Sequence, residues 1–219
     1  MNSEGWKMAN RMSGAVRHMP AIAMVVLMVL LFAACGGKQS VKQELPMPVV
    51  DPAPVSIGVY YPDSLRNHKC IGGKGYIAYD WTFELGPPSM AMYDKLLGAM
   101  FKSARTVDAK PGTSSAQGTE DVIEVRMTGF TGCDASWPVF GASVTINYEA
   151  ILWAPDGTEL TRWNAHGAAG SSDYSGLYMD EAGYLAALTK IAMRKAATDF
   201  VLNYENDPVV KTRLLAGSQ

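Results

Sequence analysis

The cysteines and histidines, the residue types most often found as metal ligands and redox or nucleophilic groups, are few: Cys35, Cys70 and Cys133 and, beyond the N-terminal apolar run, His68 and His166. A zinc site takes three or four ligands at recognisable spacing, and His68-Lys69-Cys70 supplies two, so no metal is expected. His166 precedes Ser171, Ser172 and Asp173, the residue types of a hydrolytic triad. The Gly-x-Ser-x-Gly turn that raises a nucleophilic serine is missing, and the four residues share one short segment, so no catalytic residue is assigned. Gly72-Gly73-Lys74-Gly75 lacks both the Ser or Thr after its lysine and the earlier glycine of a phosphate-binding loop. Paired carboxylates for glycoside hydrolysis would have to be brought together in space, and no pair stands out. No cofactor is expected, and the chain reads as non-enzymatic.

Cys35 has a different context. It closes the stretch Leu31-Phe32-Ala33-Ala34-Cys35 at the end of the uncharged apolar run Pro20 to Ala34, behind an N-terminus carrying Lys7, Arg11 and Arg17 against Glu4. A basic start, an apolar centre and small residues at the end describe an export signal. The 19 uncharged residues Met19 to Gly37 approach the length of a membrane-spanning helix. The small residues before Cys35 and the switch to Gly36-Gly37-Lys38 favour cleavage instead. The stretch resembles the signal of bacterial lipoproteins, with Phe32 standing where a smaller aliphatic is commoner. The resemblance implies that residues 1–34 are removed and that Cys35 becomes the lipid-carrying first residue. In Gram-negative bacteria an aspartate after that cysteine favours inner-membrane retention. Gly36 therefore implies the outer membrane, with the protein on its periplasmic face.

Removing the first 34 of 219 residues leaves 185, enough for a single domain with a core. Of the chain's 19 basic and 21 acidic residues, 16 and 20 remain, a net charge of −4. No basic patch suggests nucleic acid. With Cys35 assigned to lipid, Cys70 and Cys133 remain, and two thiols in an oxidising compartment are expected to pair. They enclose 62 residues, a loop whose closure stabilises by about 4 kcal/mol in the chain-entropy account.

Residues 35–54 hold Pro46, Pro48, Pro52 and Pro54 among polar residues and read as an extended tether. The globular part, 55–219, opens with alternating Val55, Ile57, Val59 and Tyr61, a half-buried strand ended by Pro62. Tyr76 to Leu85 reads as a second strand, pairing with the first in a hairpin or meander. Gly86-Pro87-Pro88-Ser89 starts a helix. Tyr93, Leu97, Met100, Phe101 and Ala104 extend its apolar face towards Arg105, and Thr106 to Asp108 suggests a short strand. Lys110 to Glu120 is a polar loop. Ile123, Val125 and Met127 mark a one-sided strand. Val144 to Trp153 is the clearest strand, turning at Pro155-Asp156-Gly157 into a return strand, Thr158 to His166. Gly167 to Gly176 is a small-residue loop. Met179 to Tyr204 is a helix with Leu185, Leu188, Ala192, Ala196 and Phe200 on one face, and Pro208 to Leu215 makes a final turn or short helix.

This order predicts an α+β domain, a mostly antiparallel sheet with two helices packed on one face. Its layout resembles small accessory lipoproteins of the outer membrane that assist lipopolysaccharide assembly or polysaccharide export. That resemblance implies a structural or accessory subunit docking on a larger envelope assembly. The other reading is an enzyme or glycan-binding lipoprotein acting on peptidoglycan or polysaccharide. Exposed aromatics concentrate at protein interfaces, so Phe130, Trp137, Phe140 and Trp153 are the expected partner-binding residues. Trp163 lies at the far end of the same hairpin. Trp153 is expected on the helix-free face under the 130–140 loop, with the exposed surface nearer Trp137.

Overall fold

The computed structural model describes residues 38–40, 51–72, 81–109, 112–113, 120–132, 143–174 and 181–215. In chain order they form β1 (Lys38–Ser40), β2 (Ala53–Tyr60), α1 (Asp63–Arg66), β3 (Lys69–Gly72), β4 (Trp81–Glu84), α2 (Gly86–Met100) and β5 (Phe101–Val107). There follow β6 (Val122–Thr131), β7 (Ser143–Trp153), β8 (Glu159–Gly170), a 3₁₀ turn (Ser171–Asp173), α3 (Glu181–Asn206), α4 (Pro208–Val210) and a π-helical turn (Lys211–Leu215). The class is mixed α+β.

The main sheet has the order β5-β2-β6-β7-β8. Its longest ladders, β6 with β7 and β7 with β8, are antiparallel. The Pro155-Asp156-Gly157 turn between β7 and β8 behaves as its residues require, with Gly157 at φ 87°. β2 does not pair with the strand at 81–84, as the hairpin expectation had it. It lies between β5 and β6, parallel to both. A parallel pair needs a long crossover between its strands, and the chain from Pro62 to Met100, ending in α2, supplies it. β4 instead joins a small sheet of order β1-β4-β3. Lys38–Ser40, assigned by composition to an unpaired tether, is its parallel edge strand. Ladder pairing uses backbone groups that every non-proline residue carries, so apolar alternation is not needed there.

α2 begins where its prolines suit the first turn. It stops at Met100 rather than near Arg105: Phe101 turns extended, at φ −128° and ψ 153°, and opens β5. The predicted short strand at 106–108 is thus the end of a seven-residue one. α2 and α3 pack on the same face of the main sheet. Tyr93 of α2 meets Tyr148 of β7 edge-on at 5.1 Å and Phe200 of α3 at 5.1 Å. Trp163 of β8 continues the row against Phe200 and Tyr204. The expected α3 face of Leu185, Leu188, Ala192, Ala196 and Phe200 is buried throughout.

β8 runs to Gly170, four residues past its expected end and into the predicted loop. Its inner row, Trp163, Ala165, Gly167 and Ala169, is buried, and the small members let α3 come close. A Cβ on Gly167 would overlap Ala192 O and lie 2.6 Å from Ala196 N. Side chains of α3 also cap this sheet edge: Asp199 Oδ2 accepts from His166 N at 2.8 Å, and Asn203 Nδ2 donates to Asn164 O at 2.9 Å. An edge closed in this way is a poor template for further strands.

Candidate functional site

On the sheet face away from α2 and α3, period-2 alternation aligns Glu124 and Arg126 of β6 with Trp153, Ile151 and Glu149 of β7 and with Arg162 of β8. Glu124 is only 2% exposed. A carboxylate so deep needs partners for its oxygens. Oε1 accepts from Arg126 Nε at 2.6 Å and Oε2 from Trp153 Nε1 at 3.0 Å. The charge pattern then continues across the strands. Arg126 Nη1 lies 3.9 Å from Glu149 Oε2, Arg162 Nη1 donates to Glu149 Oε1 at 3.1 Å, and Arg162 Nε donates to Glu159 Oε1 at 2.7 Å.

These contacts set the ionisation of the row. The hydrogen bond to Glu124, and then the charges of Glu124 and Glu149, hold the Arg126 guanidinium above its ordinary pKa despite partial burial. Hydrogen bonding to Glu159 and the charge of Glu149 do the same for Arg162, and Arg162 in turn lowers Glu159. The result is an alternation of negative and positive groups across the strands, with an indole at one end.

Of the expected partner-binding residues, Trp153 is on this face, half-buried, with its indole N–H held by Glu124. Phe130 is not beside it. Phe130 pairs with Ile146, whereas Trp153 pairs with Val122 at the other end of the β6–β7 ladder. Phe130 also follows the bulge between Met127 and Gly129, which puts it on the face of Ile146, packed against the core. The two rings are therefore not parts of one patch. The chain leaves β6 at Thr131, the end away from Trp153, and the rest of the 130–140 loop, the expected cover of the indole, lies outside the described residues. Trp137 and Phe140 lie outside the described residues. Trp163 is buried under α3 and belongs to the core.

Glu124 was the residue that sequence reasoning passed over. Its place between Ile123 and Val125 marks it as outward-facing. Its burial depends on Trp153, 29 residues away.

His166 stands on the same outward face of β8 as Arg162 and is the register partner of Asn147. His166 Nδ1 lies 2.7 Å from Asn147 Oδ1, and Asp173 takes Lys195 Nζ at 2.8 Å and Gly170 N at 2.9 Å. His68 accepts the N–H groups of Leu85 and Gly86 on its carbonyl, and partial burial lowers its imidazole pKa. Among the described residues no group of three or more His, Cys, Asp or Glu side chains could hold a metal. Cys70 is buried in β3 and disulfide-bonded. Cys133 and Cys35 lie outside the described residues, so no pairing is assigned from the geometry.

No protein-family model and no curated protein matches the chain. The chain has remote structural similarity to three solved structures. Protein XCC0632 of Xanthomonas campestris, described by the family model DUF330, has a TM-score of 0.48 at 12% identity, covering 84% of this chain and 98% of that one. Hypothetical protein CT253 of Chlamydia trachomatis has 0.43 at 8%, covering 74% and 100%. Lipoprotein GNA1162 of Neisseria meningitidis has 0.29 at 14%, covering 68% and 99%. No described helix is long and apolar enough to cross a membrane.

Proposed function

We propose that this protein is a lipid-anchored, non-enzymatic lipoprotein on the periplasmic face of the outer membrane, an accessory or structural subunit that docks on a larger envelope assembly or export machine. The observation that carries the reading is the motif Leu31-Phe32-Ala33-Ala34-Cys35 at the end of a basic-then-apolar leader. Such a protein needs an attachment and a recognition surface. Cys35 supplies the first, and the sheet face away from α2 and α3, with Trp153, Arg126, Glu149 and Arg162, is assigned as the second. The disulfide of Cys70 fits an oxidising compartment, and Cys133 is its proposed partner, since Cys35 carries lipid.

The test is in-cell crosslinking from position Arg162, with mass spectrometry of the mature N-terminus. An acylated Cys35 and capture of a subunit of an envelope machine support the proposal. In that case Trp153→Ala weakens capture by about thirtyfold, the equivalent of roughly 2 kcal/mol, and it also lowers the melting temperature, because the buried Glu124 loses its indole partner. An N-terminus that still begins at Met1 removes the anchor. Capture of peptidoglycan or polysaccharide fragments in place of protein replaces docking with the glycan reading.

A further inference from the structure

β1 changes where the folded body meets its anchor. Only Gly36 and Gly37 separate Cys35 from Lys38, the first residue of β1. Three fully extended steps span at most about 11 Å. Lys38 pairs with Thr82, and Thr82 with Ile71, so the three share one row across the small sheet. Strands lie about 4.8 Å apart, which puts Ile71 some 10 Å from Lys38 and within about 20 Å of the cysteine at full reach. Ile71 is 71% exposed, the most exposed large apolar residue among those described. Its strand neighbour Cys70 and the cross-strand Phe83 are buried on the opposite face. Lys69 shares the outward face with Ile71 and lies 3.6 Å from Glu84. Glu84, the register partner of Lys69, shares that face, and a lysine whose alkyl stem lies beside an exposed isoleucine, its ammonium free to exchange a carboxylate for a phosphate, suits the boundary between acyl chains and headgroups.

We propose that the outward face of the β1-β4-β3 sheet rests on the lipid bilayer that holds Cys35, with Ile71 seated at the acyl boundary and Lys69 directed to the phosphates. The domain then stands against the membrane, not tens of ångströms away on a tether, and the face of the main sheet away from α2 and α3 is held at a set height for its partner. The inference rests on the lipid anchor proposed above. Its test keeps the two separable.

A benzoylphenylalanine photocrosslinker is placed at Ile71 in the full-length lipidated protein, reconstituted in vesicles of phosphatidylethanolamine and phosphatidylglycerol. The same probe at Leu202, 52% exposed on α3, is the comparison. Lipid adducts several-fold more abundant at 71 than at 202 are expected. In the wild-type chain, acetylation of Lys69 is expected to slow several-fold on vesicles relative to the protein in mild detergent. Equal adduct yields at both positions and unprotected Lys69, in protein whose N-terminus carries acyl chains, overturn the inference and leave the anchor standing. Adducts at 71 to protein alone overturn it as well. A mature N-terminus without acyl chains overturns both.

Discussion

The contact of α3 with β8 at Gly167 gives the sharpest perturbation. An alanine there would put its Cβ 2.6 Å from Ala196 N and 2.9 Å from Ala192 C, and inside the envelope of Ala192 O. Comfortable carbon contacts lie at about 3.5–4.0 Å, so helix and strand must separate by roughly 1 Å. The obstructing atoms are backbone, which no rotamer change can move aside. Overpacking of this kind costs about 1–3 kcal/mol where neighbours can yield, and this site belongs at the upper end. Separation also stretches the edge caps from Asp199 to His166 N and from Asn203 to Asn164 O, each worth about 1 kcal/mol. A loss of about 3–4 kcal/mol follows, which in a domain of this size lowers the melting temperature by roughly 8–12 °C. Gly170→Ala is the control: its Cβ would meet nothing within 4 Å, and φ there is −131°. That change should fall within about 0.5 kcal/mol of wild type. Thermal and urea unfolding of the two variants decide the matter. A Gly167→Ala protein that melts within about 2 °C of wild type would refute the close approach and the register of β8 with it.

Removing the guanidinium with Arg126→Ala leaves the buried Glu124 carboxylate with Trp153 as its remaining described partner and should cost about 1.5–3 kcal/mol in urea unfolding. Adding Glu124→Gln should recover part of that loss, and strictly additive costs would argue against coupling. Asp207 accepts from Val209 N at 2.8 Å and Val210 N at 3.0 Å and also takes the Thr161 hydroxyl at 2.7 Å. Asp207→Ala should therefore lower stability by about 1–2 kcal/mol, and an unchanged urea midpoint would discount the cap. Burial lowers the His68 pKa in the folded chain, so on acidification the unfolded chain takes up that proton first, below about pH 6.5. Stability should fall as pH drops through that window, and His68→Gln should flatten this part of the stability–pH curve. Peptide mapping without reductant should find Cys70 joined to Cys133, and a Cys70 peptide linked elsewhere would displace the proposed pairing.

Local patterning made much of the fold legible. The 3.6-residue spacing of Leu185, Leu188, Ala192, Ala196 and Phe200 identified the buried face of α3, because a helix displays its own periodicity whatever it packs on. Alternation from Val144 to Leu152 and the Pro-Asp-Gly turn placed β7, β8 and their hairpin for the same reason, since antiparallel neighbours are also neighbours in sequence. Where helical spacing ran on into Phe101 and Ala104, the pattern misplaced the end of α2. Those residues satisfy either period, and pairing with β2 decided for strand. Of the candidate site, the outward face of Trp153 followed from alternation. Its indole partner and the distance from Phe130 did not, because a bulge at Met127/Gly129 shifts the side chains beyond it to the other face.

By itself, then, the sequence determined the α+β class, the long helices and the β7–β8 hairpin, all written in contiguous residues through period and turn chemistry. Tertiary structure alone decided that β2 sits between two parallel neighbours and that Lys38–Ser40 joins a small sheet with Ile71 exposed in the same row. It also decided that Gly167 is a contact and not a loop residue, and that Glu124 is buried. Each of these is a meeting of segments far apart in the chain. Their energies belong to pairs of surfaces, so neither segment shows them until both are in place.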